Sequence, residues 1–131
     1  METTLPITAL FAAILGLIFV PLSARVGFYR QKSKISLLDG GDKELTRRMR
    51  AQGNFAEYVP IALILLALVE LGGAVGWAVY LLGGSLVVGR LFHLVTISGS
   101  ETGPGRPIGM VLTFLSILGS SGILLYGHFT A

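Results

Sequence analysis

Three stretches of this chain carry no Asp, Glu, Lys or Arg: Thr3 to Ala24 (22 residues), Leu71 to Gly89 (19) and Pro107 to Ala131 (25). Each is long enough to cross a bilayer as a helix, because about 20 apolar residues span a hydrocarbon core of about 30 Å. A fourth apolar run, Tyr58 to Val69, has only 12 residues. It spans if its helix begins near Asp42 and carries Glu57, with Asn54 a turn below, to about membrane depth. Four such spans use almost all of the 131 residues, of which 13% are charged against about 25% in soluble domains. Within lipid, segments of this length satisfy their backbone only as helices. The sequence therefore reads as an all-α membrane protein, a single domain over 1–131 built as an up-down bundle of four transmembrane helices.

Charge placement sets the expected orientation. Eight of the ten Lys and Arg residues (Arg25, Arg30, Lys32, Lys34, Lys43, Arg47, Arg48, Arg50) lie in or beside the first loop. Arg106 lies in the third loop, and the turn Gly72-Gly73-Ala74-Val75-Gly76 has no charge. The positive-inside rule then puts loops one and three in the cytoplasm and both termini on the non-cytoplasmic side. A net charge of +3 is, in this context, a topology signal, with membrane lipids as partners and no nucleic acid. Glu2 before the first apolar run and Arg25 after it reverse the pattern of a cleavable signal peptide. The absence of cysteine excludes disulfides, Cys-ligated metals and a protein thiol nucleophile, so any sulfur chemistry must arrive with a ligand. The only histidines, His93 and His128, fall at opposite ends of the membrane, which argues against a histidine metal site.

Helix one is expected over about Leu5 to Tyr29, with Pro21 inside it. Gln31 to Asp42 forms the only substantial loop, and Asp42 is a plausible N-cap for helix two, which Glu44 also favours through the helix dipole. Helix two runs to about Leu71 with Pro60 inside. Helix three covers about Val75 to Ser98, Gly99 to Pro107 is a tight turn, and helix four continues to about Phe129. On helix four, Gly109, Thr113, Ser116 and Ser120 form a stripe of small residues, suited to close packing inside the bundle or between subunits. Glu70, Trp77, Tyr80 and Tyr126 read as residues of the outer interface.

Arg50, Asn54 and Glu57 recur at i, i+4, i+7 and so share one polar stripe of helix two. Ionisable groups at the edge of hydrocarbon are costly, so a matched acid and base there either seal the bundle or hold a guest. Arg90 and His93 share a face of helix three, continued by Ile97, and Arg90 should lie level with Glu57. Arg25, Arg47 and Arg48 form a basic cluster suited to anionic headgroups. Together these groups complement a small zwitterion or polyanion. Guanidiniums bind carboxylates bidentately, Glu57 suits an ammonium and Asn54 a peptide group. Glutathione, with two carboxylates, an ammonium, two amides and a thiol, fits; a lipid headgroup fits less specifically.

The stretch Arg50-Ala-Gln-Gly-Asn54-Phe-Ala-Glu57-Tyr58-Val-Pro60 resembles the membrane-associated proteins in eicosanoid and glutathione metabolism (MAPEG), which include the microsomal glutathione transferases. Ser23-Ala-Arg25 and Gly89-Arg90-Leu-Phe-His93 add to the resemblance, which covers nearly the whole chain, and the short length resembles the bacterial branch. The resemblance implies a homotrimer in a bacterial inner membrane, with glutathione as co-substrate near the cytoplasmic surface between neighbouring subunits. It assigns ligand binding to Arg25, Arg50, Gln52, Asn54, Glu57, Tyr58 and Arg90. It also implies thiolate stabilisation by an arginine near the start of helix four, for which Arg106 is the nearest match, with His93 alongside. A nearby cation lowers the pKa of a thiol that is otherwise mostly protonated at neutral pH. Ile97 and His93 stand where members have tyrosines, and Gly109 where some have a basic residue. The expected activity is transfer or peroxidase chemistry on a small lipophilic electrophile. The alternative is a non-catalytic protein of the same fold: a scaffold, an accessory subunit or a lipid-headgroup binder.

Overall fold

Four helices account for nearly all of the polypeptide: α1 (Pro6–Ser33), α2 (Lys43–Leu71), α3 (Gly76–Gly99) and α4 (Gly105–Thr130). The computed structural model describes residues 4–99 and 104–130, apart from the side chains of 97–99. All four helices are long and apolar enough to cross a membrane.

Local chemistry explains most boundaries. Asp42 caps α2 as expected, its carboxylate accepting from the Leu45 N–H at 2.8 Å. Gly73, at φ +76, takes the left-handed turn that lets α2 reverse into α3. Two boundaries differ from the sequence reading. Helix α1 continues to Ser33, because its last polar turn extends beyond the apolar run and Lys34 closes it in a left-handed C-cap. Helix α4 begins at Gly105, so Arg106 and Pro107 belong to its first turn rather than to the preceding loop. A proline is tolerated there because its missing N–H would have no intrahelical partner. Pro21 and Pro60 both lie inside uninterrupted helices.

Helices α2 and α3 each touch the other three, whereas α1 and α4 do not meet. One buried cluster joins Leu15, Leu22, Phe55, Val59 and Leu86, with the Phe19 and Phe55 rings stacked 5.5 Å apart. A second, nearer the termini, joins Phe11, Leu66, Val69, Val79 and Leu82. Helices α3 and α4 approach so closely that a Cβ on Gly109 would lie 2.5 Å from the Gly89 carbonyl oxygen. Gly109, Thr113, Ser116 and Ser120 are all buried within the protomer, so the small-residue stripe packs internally. Glu70 does more than sit at the interface. Its carboxylate accepts the N–H groups of Ile7 (2.9 Å) and Thr8 (2.7 Å), capping α1 from the far end of α2. Trp77 and Tyr126 point outward, 70% and 73% exposed.

Candidate functional site

Arg90 is buried, at 1% exposure, and its partners are neutral. One terminal nitrogen donates to Asn54 Oδ1 at 2.7 Å. The other donates to Thr113 Oγ1 at 2.6 Å and, at longer range, to the Gly109 carbonyl and Met110 Sδ. Thr113 can accept because its own hydroxyl donates back to the Gly109 carbonyl at 2.8 Å. The guanidinium lies 5.9 Å from the centre of the Tyr58 ring. Its Nε is buried with no hydrogen-bond partner. Among the described residues the ion pairs are Arg47–Glu44 and Arg48–Glu44, and no carboxylate pairs with Arg90. A desolvated cation balanced only by dipoles raises the positive potential of its surroundings.

That potential is delivered through Asn54. A guanidinium only donates, so the carboxamide must present its oxygen to Arg90 and its Nδ2 elsewhere. Nδ2 meets only the weak acceptor Met110 Sδ, at 3.8 Å. Arg90 thus fixes the orientation of a half-buried carboxamide whose donor end is held only by that weak acceptor.

The polar stripe of α2 divides. Asn54 reaches α3, while Arg50 and Glu57 are exposed on the protomer's rim. They form no ion pair with each other among the described residues. Tyr58 is half-buried, its ring 5.8 Å from that of Phe114 on α4. Gln52 faces the other way and donates to Ser23 Oγ of α1 at 3.3 Å, on the side where Arg25 lies half-buried. Arg106 is exposed at the start of α4, whereas His93, at 4% exposure, is screened by the α3–α4 packing. The expected site residues therefore separate into two groups on opposite flanks of α2. Arg25 and Gln52 occupy the α1 flank; Asn54, Tyr58, Arg90 and Arg106 occupy the α3–α4 flank, with Arg50 and Glu57 on the rim.

Against known proteins, the MAPEG family profile matches residues 8–126, both flanks included. The chain belongs to the MAPEG family. It is similar to the inner membrane protein YecN of Escherichia coli K12, at 37% identity over 87 residues. That alignment spans 66% of this chain and 66% of the relative, and the protein of the same name in E. coli O6:H1 matches equally. No solved structure matches the chain. Four spans and these relatives make this MAPEG chain a multi-pass inner membrane protein.

One departure from the MAPEG resemblance now has a physical reading. Gly109 stands at the crossing of α3 and α4, where a Cβ would also lie 2.9 Å from the His93 backbone nitrogen, so no basic side chain can fit. Arg106 falls at the second position of α4. The side chain of Ile97, another departure, lies outside the described residues. Sequence reasoning missed Thr113 and Met110 as partners of Arg90. In the sequence Thr113 is one small residue among several, although a threonine one turn beyond a glycine can return its hydroxyl to the backbone and still accept a bond.

The basic cluster also differs from expectation. Arg47 and Arg48 both engage Glu44, and Arg48 lies 4.5 Å over the Tyr29 ring. Part of the positive charge first assigned to lipid headgroups is thus neutralised within the protein.

Proposed function

We propose that this protein binds glutathione at the rim of α2 and uses its thiolate against lipophilic electrophiles arriving from the bilayer. The observation that carries this reading is Arg90: a buried cation with only neutral partners, bonded to Asn54 of the helix that exposes Arg50 and Glu57. In this scheme Arg50 takes a glutathione carboxylate, Glu57 the ammonium, and Asn54 Nδ2 a peptide carbonyl. Tyr58 closes the apolar side. The remaining members of the expected set, Arg25 and Gln52, come from a neighbouring protomer, because they lie across α2 from Arg90 within one chain. This division supports a homotrimer with clefts between subunits.

Chemistry at the thiol requires that it lose its proton to solvent and that the thiolate be stabilised by a cation. Arg106, exposed at the first turn of α4, is the cation assigned to that role, with His93 behind it. In transfer, the thiolate sulfur forms a bond to an electrophilic carbon and the leaving group departs with its electron pair.

The second reading is a MAPEG-fold protein without catalysis: a scaffold, an accessory subunit or a headgroup binder. The burial of His93 and the lack of any side chain at Gly109 favour it. Calorimetric titration of glutathione into purified wild type, Arg50→Ala and Glu57→Gln separates the two. Heat from the wild type that is lost in both variants is expected, and a silent wild type rejects glutathione binding. Ultraviolet absorbance of bound thiolate, lost in Arg106→Ala, distinguishes activation from binding alone.

A further inference from the structure

We propose that the loop between α1 and α2 is a membrane-surface anchor: Leu37 and Leu38 enter the boundary between headgroups and acyl chains, while Lys32, Lys34 and Lys43 engage anionic lipid headgroups. Exposed apolar side chains are ordinary on the lipid-facing flanks of these helices. Leu37 and Leu38 are different because they lie outside any helix, at 81% and 79% exposure. Large apolar groups left outside a fold mark an interaction surface.

The loop is not loose. Arg30 donates to the Leu38 carbonyl at 2.7 Å and, at longer range, to the Ile35 carbonyl. The Asp39 side chain accepts from the Gly41 N–H at 3.1 Å and from the Thr46 hydroxyl at 2.8 Å. These two bonds, the Gly41 one foremost, hold its carboxyl below the usual carboxylate range, so it stays charged and bound. The Tyr29 hydroxyl donates to Asp42, and Asp42 caps α2. Ile35 fills the inside of the loop, its side chain lying against Gly40. Arg30, Asp39 and Asp42 are tied down by these bonds, and the apolar interior of the loop already has an occupant. The two leucines are left over.

The backbone at Leu38 strengthens the point. Its φ of +53 is left-handed, which disfavours a residue with a Cβ, and two glycines follow immediately at 40 and 41. A leucine held in a conformation better suited to glycine signals that the fold fixes its direction, and such strain collects at functional positions.

Depth favours lipid over a soluble partner. Phe28, at 70% exposure, is the last exposed large apolar side chain on α1. Ser33 lies five residues further, or about 7–8 Å at 1.5 Å per residue. The headgroup layer is about 5–8 Å thick on each side. The Arg30–Leu38 bond folds the loop tip back towards the last turns of α1 and so keeps it within that layer. Lys32, Lys34 and Lys43 are exposed and outside the ion pairs of the described residues, as expected for cations facing an anionic surface. The acids of the loop, Asp39 and Asp42, are engaged within it.

Fluorescence of the full-length protein in vesicles tests this. Trp77 is the only native tryptophan, so Leu37→Trp in a Trp77→Phe background carries one reporter at the loop tip. In vesicles of mixed zwitterionic and anionic phospholipid, brominated at acyl carbons near the headgroup, the reporter should be blue-shifted and quenched. Quenching should fall in purely zwitterionic vesicles and in a Lys32→Gln, Lys34→Gln, Lys43→Gln background. Ser36→Cys, spin-labelled in the cysteine-free chain, gives the same depth by collision with oxygen or an aqueous nickel complex. A water-like, unquenched reporter overturns the proposal. So does a blue-shifted reporter that bromolipid fails to quench, which would assign the leucines to a protein contact, whether a second copy or another chain.

Discussion

Arg90 poses the sharpest question at the scale of one residue, because fold and function make opposite demands on it. Burying a cation among neutral dipoles costs stability, but removing it strands the Asn54 and Thr113 oxygens that accept from it, and the two effects oppose each other. Arg90→Met is therefore expected to change the melting temperature little. If the proposed site is right, the same change frees Asn54 to reorient and weakens glutathione binding by about 0.5–1.5 kcal/mol, the worth of the bond Asn54 offers a peptide carbonyl. Paired thermal melts with and without glutathione read both effects, and a variant that melts earlier but binds normally would make Arg90 structural. Gly109 is the converse case. Its hydrogen stands where a Cβ would meet the Gly89 carbonyl oxygen at 2.5 Å, so Gly109→Ala should destabilise by about 1–3 kcal/mol as overpacking does. Chemical denaturation in micelles measures this, and an unchanged midpoint would show that α3 and α4 can move apart freely.

Helix ends were the most legible elements and also the source of a surprise. Asp42 was readable as a cap from its position before an acidic first turn, and it caps α2. Glu70 was not readable as a cap, because its target, the start of α1, lies 62–63 residues away in sequence. Antiparallel packing of α1 on α2 brings the last turn of one helix to the first turn of the other, and no local pattern records that meeting. Glu70→Ala should release the Ile7 and Thr8 amides. The cost is expected at about 1–2 kcal/mol, the upper part of the capping range. Hydrogen exchange at those two amides should accelerate in the variant while exchange in mid-α2 stays constant. Equal acceleration throughout would mean general loosening instead of a lost cap.

For the whole molecule, the arrangement of the expected ligand residues on two flanks of α2 makes a prediction that no single protomer satisfies. Arg25 and Gln52 face α1, while Asn54 and Arg90 face α3 and α4. If each glutathione site joins one flank from each of two subunits, Arg25→Ala and Arg90→Met proteins should bind poorly when purified separately. Co-expressed, they should assemble mixed oligomers in which some clefts carry both intact flanks and recover part of the wild-type heat. A site contained within one subunit gains nothing from mixing, so absence of recovery in verified mixed oligomers would refute the shared cleft.

By itself, the sequence determined the four spans, the capped entry to α2 and the family, because these depend on run length, nearest-neighbour chemistry and a contiguous motif. It also indicated which residues have chemistry worth noting at the rim. Only the tertiary structure decided how those residues are grouped: it turned Asn54 inward and left Arg50 and Glu57 outside, enclosed His93, and gave Arg90 neutral partners from α2 and α4. The reason is geometric. A helical repeat fixes the angle between side chains on one helix, but which neighbour each one faces follows from how close the helices can come, and here that is set by glycines at the α3–α4 crossing.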